Sequence, residues 1–180
     1  MRRVLVLISA LATTLGLLLV PGAAGASPYC GLVWGSLDKS VPKHSAATVT
    51  GVRAGRHDCF DRLVVDLAGP APGYHVAYTD AVTKDGSGEP VPLRGGAFLV
   101  VTAHAPSYDH AGRATYSPAD RAELAAVAGY ATFRQVAWAG SFEGSTTLGL
   151  GVRARLPVRV FTLDGPGAGS RVVIDVAHFW

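Results

Sequence analysis

Cys59-Phe60-Asp61-Arg62-Leu63-Val64-Val65-Asp66-Leu67 is the stretch that decides the fold. Leu63, Val65 and Leu67 alternate with Arg62, Val64 and Asp66, and a period of two gives a strand one buried and one wetter face. Residues 47–54 alternate around Val49 and stop at Gly55, so the two segments read as a hairpin across residues 55–58. Further strands are expected at residues 74–79, 97–103, 132–139, 148–154, 158–163 and 171–177. Turn chemistry separates several of them: Asp85-Gly86-Ser87-Gly88, Arg94-Gly95-Gly96 and Asp164-Gly165-Pro166-Gly167. With 22 glycines and only 16% charged residues, the chain reads as a mainly β domain, a β-sandwich of two sheets.

One short helix is expected as well. Ser117 can cap it, Pro118 suits its first position, residues 119–127 are good helix formers, and Gly129 would close it. Residues 105–115 lack periodicity and read as a surface loop. The deciding strand also has an echo near the end of the chain: Asp61-Arg62-Leu63-Val64-Val65-Asp66-Leu67-Ala68 reads against Ser170-Arg171-Val172-Val173-Ile174-Asp175-Val176-Ala177. In each, the arginine, a valine and the aspartate share one face and three aliphatics share the other. The echo suggests equivalent strands in two facing sheets, although any amphipathic strand can show this pattern.

Residues 1–26 read as a secretory signal peptide: a basic start at Arg2 and Arg3, an apolar run from Val4 to Val20, and the small-residue site Ala24-Gly25-Ala26. Cleavage is expected after Ala26, since Pro21 and Gly22 break the apolar helix; an uncleaved anchor is the alternative, and the one expected route to a membrane. A lipid-anchored form is excluded because Cys30 follows Pro28-Tyr29 and not small residues. Removing the leader takes two of the 16 basic residues and none of the 13 acidic ones, so the formal charge falls from +3 to +1. A nearly neutral domain has no electrostatic footprint for nucleic acid. Residues 27–180 then form one extracytoplasmic domain, in which Cys30 and Cys59 make a single disulfide. Closing that loop contributes ~3.6 kcal/mol in the chain-entropy account.

The run from Val49 to Leu67, a strand, a basic turn and an Arg-aliphatic-Val-aliphatic-Asp strand, resembles the AMIN domain signature. Trp34-Gly35-Ser36, Cys59-Phe60-Asp61-Arg62, Phe133-Arg134-Gln135-Val136, Gly140-Ser141-Phe142-Glu143-Gly144 and the ending Arg171 to His178 together resemble the AMIN-like secreted proteins and lipoproteins of actinobacteria. The resemblance implies a β-sandwich of the kind attached to cell-wall amidases and secretins, which targets them to peptidoglycan or the division site. It carries over no catalytic residues, and no amidase or secretin portion follows here. The expected role is therefore a secreted, non-catalytic, cell-wall-associated binding module. Its expected partner is peptidoglycan or a wall polysaccharide, or an envelope protein, with no cofactor.

Other chemistry has weaker footing. Ser36-Leu37-Asp38-Lys39 and Ser40-Val41-Pro42-Lys43 have the spacing of a penicillin-recognising nucleophile, but the companion Lys-Thr-Gly and Ser-Asp-Asn elements are absent. His104, Asp109 and His110 could share an ion, yet no His-Glu-x-x-His pair supports a zinc site, and no metal is expected. Glu89, Glu123 and Glu143 leave an envelope hydrolase as the alternative activity, and an exposed sheet edge joining another chain as the alternative interaction. For binding, Arg53, Arg56, His57 and Arg62 gather on one hairpin, where guanidinium forks can hold carboxylates or phosphates. Trp34, Trp138 and Phe142 can offer sugar-stacking surface. The competing reading pairs the arginines with Asp58, Asp61 and Asp66 across strands and packs the aromatics in the core.

Overall fold

The computed structural model describes residues 29–180; the expected leader and its cleavage site lie outside the described residues. The strands are β1 Lys39–Val41, β2 Thr48–Arg56, β3 Phe60–Ala68, β4 Tyr74–Thr79, β5 Ala97–Ala103, β6 Phe133–Phe142, β7 Ser145–Val152, β8 Val158–Asp164 and β9 Gly169–Ala177. They form a five-stranded sheet in the order β1-β4-β5-β7-β6 and a four-stranded sheet in the order β2-β3-β9-β8. All neighbours are antiparallel.

The alternation in β3 places Leu63, Val65 and Leu67 in the core with Val172, Ile174 and Val176 of β9, against Val76, Leu99, Val101, Leu148 and Leu150 of the other sheet. This is the expected mainly β sandwich, and the expected Cys30–Cys59 disulfide is formed. The bond ties a single 3-10 turn at Tyr29–Gly31 to the start of β3. From there the chain runs past β8, where the Gly35 carbonyl accepts from Val158 N at 2.9 Å, and enters β1 at the far edge of the other sheet. Strand β1 is absent from the sequence expectations because Lys39, Ser40 and Val41 contain one apolar residue and carry no periodicity.

The expected helix at residues 119–127 does not form. This segment lies in turns and irregular chain beside β6: Leu124 N donates to Val136 O at 2.8 Å, Trp138 N to Arg121 O at 2.7 Å, and Gln135 Nε2 to Ala122 O at 2.9 Å. An edge strand leaves a row of backbone groups unpaired, and an irregular segment can meet them with its own backbone groups. A helix would consume those groups internally. Intrinsic helix preference, at most ~0.7 kcal/mol per ordinary residue, is outweighed, and Val127 is buried in the core. The preceding loop serves the other sheet in the same way: Val49 N donates to Pro106 O, and Thr115 Oγ1 to Val49 O.

The echoed strands are not in facing sheets. β3 and β9 are adjacent in one sheet, and their antiparallel register sets Arg62 opposite Asp175 and Asp66 opposite Arg171. Reversing the direction of one copy turns a repeated Arg-to-Asp spacing into a pair of complementary charge positions. On the other sheet, β7 carries Gly149 and Gly151 where the segment after β4 crosses its outer side. A side chain at Gly151 would collide with the Arg94 carbonyl, and one at Gly149 with Leu93. These glycines let residues 82–94 pack down on the sheet.

Candidate functional site

The outer face of the four-stranded sheet is built in rows across β2, β3, β9 and β8. One row is Gly55, Arg62, Asp175, Arg159; the next is Arg53, Val64, Val173, Phe161; the third is Gly51, Asp66, Arg171, Leu163. Four arginines therefore face two aspartates. Asp175 is the hub, fully buried, and it accepts from Arg62 through Nε at 2.7 Å and Nη2 at 2.9 Å. Arg159 reaches the same carboxylate through Nη2 at 2.6 Å and Nε at 3.1 Å. Arg62 and Arg159 remain 25% and 41% exposed. One carboxylate cannot neutralise two guanidiniums, so the cluster keeps a positive charge within reach of solvent.

Aromatic rings frame that charge. Arg159 lies 4.3 Å from the Trp34 ring centroid and 5.0 Å from that of Phe161, and Arg62 lies 5.2 Å from that of Phe60. Each such contact contributes about 0.5–1 kcal/mol at an exposed site. His57 stacks on Phe60 at 4.5 Å, and Trp34 meets Phe60 at 5.6 Å. Hydrogen bonding to Asp175 raises the Arg62 pKa against the opposing effect of burial, and Asp66 does the same for Arg53, so both guanidiniums stay charged. Gly55 leaves open space beside Arg62, since a side chain there would meet little more than the His57 ring edge at 4.0 Å.

Trp34, Arg53, His57 and Arg62 thus converge on this face. Arg53 also pairs with Asp66, Nε to Oδ2 at 2.7 Å, one of the cross-strand pairings expected as the alternative. Arg56 sits opposite Asp61, on the other side of the hairpin, where it stays exposed, and lies over Tyr130 at 5.7 Å. Trp138 and Phe142 belong to β6 of the other sheet, where Trp138 packs on Tyr116 at 5.7 Å. Asp61 takes no arginine; it is buried and accepts from the backbone of Thr132 and Phe133. Arg159, Phe60, Phe161 and Asp175 are not among the residues expected to bind. The outward alternation of Arg159 and Phe161 in β8 was readable, but their partner in β9 was not.

Several of the residues weighed for catalysis or metal binding have other engagements. Lys39 lies in β1, and its ammonium donates to Leu37 O. Glu89 pairs with Lys84, and Glu123 with Arg94. Asp109 organises its own loop by accepting from Ala111 N and Arg113 N. His104 meets the ring of His44 at 5.2 Å, and its buried Nδ1 has no partner among the described residues. Burial first, then the charges of His44 and His75, push its pKa below the usual 6.5. The unfolded chain therefore binds more protons just below pH 6.5 than the folded one, and stability falls as pH drops from there through the folded-state pKa. His104→Gln should flatten that part of the profile in urea unfolding measured at stepped pH. Equal slopes in the two proteins would assign the loss to other groups.

Residues 47–178, most of the chain, match the family model of the AMIN-like domain. No curated protein and no solved structure matches the chain. The matched span covers all but the first strand of the sandwich and ends on the buried His178, in agreement with the resemblance seen in residues 49–67 and 171–178. On that match the chain belongs to the AMIN-like domain family.

Proposed function

We propose that the protein is a secreted, non-catalytic binding module of the cell envelope, released from its leader after Ala26, and that the outer face of its four-stranded sheet holds an anionic wall polymer such as peptidoglycan. The observation that carries this reading is the array in which Arg62 and Arg159 share the buried Asp175 between the Trp34, Phe60 and Phe161 rings. Such an array is pre-organised: the guanidiniums are already oriented, so binding need not order long flexible side chains. Their unused N–H groups suit carboxylates and phosphates, and the flanking rings suit the apolar faces of sugars. The AMIN-like family supports an envelope role, and the disulfide fits an oxidising compartment.

The test is co-sedimentation of the purified protein with peptidoglycan sacculi. Pelleting should weaken as salt rises, because exposed charges are screened. Arg53→Ala combined with His57→Ala should reduce affinity by roughly threefold to tenfold, the range that about 1 kcal/mol of exposed charge contact spans. Both side chains are exposed, so folding should be preserved. Absence of pelleting with any wall preparation would sink the reading. Release of soluble fragments from the wall would favour a hydrolase in its place.

A further inference from the structure

A cleft of about 650 Å³ opens beside β6 on the five-stranded sheet, between residues 84–87 and residues 107–121. Four aromatic side chains, Tyr108, Tyr116, Trp138 and Phe142, line it among polar ones such as Asp85, Ser107 and Arg121. Tyr116 and Trp138 meet at 5.7 Å with their planes tilted by 55°, and Phe142 is 52% exposed. The cleft is also fastened in place. Trp138 N donates to Arg121 O at 2.7 Å, and Asp85 N to Ala139 O at 3.0 Å. Gly140, at φ 142°, lets Asp85 lie directly against the strand, with its Cβ 3.2 Å from where a side chain would start.

The polar groups are those of a site awaiting a neutral partner. Asp85 Oδ2 is buried and has no hydrogen-bond donor among the described residues. The Tyr108 hydroxyl accepts from Gly144 N at 3.2 Å, which leaves its own proton to give. Lys84 is neutralised by Glu89 at 2.7 Å, and Asp85 and Arg121 carry opposite charges, so the cleft presents no net field to attract an ion. We propose that this cleft is a saccharide site, in which the Trp138 and Phe142 rings pack on the C–H faces of a pyranose and Asp85 accepts from its hydroxyls. Asp85 lines the cleft, so its carboxylate is placed to accept a sugar hydroxyl there. The volume falls in the usual range of small-molecule pockets, ~300–1,000 Å³. The site goes beyond the arginine face and shares no residue with it, so either can fail alone.

The test is NMR titration of the labelled protein with an N-acetylglucosamine trimer and with maltotriose. Work at roughly 0.5 M salt, where screening reaches within a few ångströms, suppresses the arginine face. Saturable shifts confined to residues 84–87, 107–121 and 138–142 are expected with at least one sugar. The trimer alone would indicate an amino-sugar glycan, and maltotriose alone a neutral hexose polymer. Phe142→Ala should weaken binding roughly threefold to tenfold, as expected for one lost stacking contact, and Asp85→Asn should weaken it too, with shifts elsewhere unchanged. The proposal is overturned if neither sugar saturates by roughly 50 mM, a concentration that half-fills a site with a Kd of that size. It is equally overturned if both variants bind like the wild type, or if the shifts map to the arginine face.

Discussion

Replacing Asp61 by alanine should destabilise the protein by about 3–5 kcal/mol, the range for removing one partner from a buried charged hydrogen-bond cluster. Asp61 is fully buried on the core side of β3. Its Oδ2 accepts from Thr132 N at 2.6 Å and Phe133 N at 3.0 Å, and its Oδ1 lies 3.1 Å from His178 Nε2. One carboxylate thereby ties β3 of the four-stranded sheet to the start of β6 in the other sheet and to the end of β9. The bond from Thr132 Oγ1 to Ala177 O closes the same corner. Alanine strands these donors away from water, each costing ~1–3 kcal/mol. Asn should cost less than Ala, because its single carbonyl oxygen still accepts while its amide adds donors the site cannot use. Urea unfolding of the oxidised protein at neutral pH measures both. A loss below about 1 kcal/mol for Asp61→Ala would show that the corner relaxes and admits water.

The second large effect is a failure of additivity on the outer face. Arg62→Ala and Arg159→Ala should each cost about 1 kcal/mol, since the remaining arginine still satisfies Asp175. The double variant should cost about 3–5 kcal/mol, because it leaves a fully buried carboxylate with neither of its cations. A double-mutant cycle reads the excess directly. If the double variant costs only the sum of the singles, Asp175 finds solvent, and the array is not the rigid platform that wall binding requires. Arg53→Ala is the contrast: its partner Asp66 is one-third exposed, so water replaces the lost contact and stability should change by ~1 kcal/mol at most.

Particular residues show where local reading stops. The bounds of β4 and β5 match the expected strands, since each is a short apolar run closed by turn residues. The hairpin of β2 and β3 also forms, although β2 runs on through Gly55 to Arg56, past the expected start of the turn. The helix expected after Ser117 and Pro118 failed because good local propensity met the unpaired edge of β6, which no local window displays. In the same way, four of the seven side chains expected to bind are gathered on one face, while Trp138 and Phe142 went to the other sheet with β6, and Arg56 stays exposed on the opposite side of the hairpin, over Tyr130.

The sequence by itself determined which side chains of β3 and β9 face the core and which cysteines pair, because alternation is a property of neighbouring residues and the chain has only two cysteines. Only the tertiary structure decided which strands are neighbours. Arg62 meets Asp175 across 113 residues, and that meeting converts two separate amphipathic strands into one charged, ring-framed face. Strand pairing is fixed by packing of the whole core and by the need to satisfy every sheet edge, and no single segment carries that information.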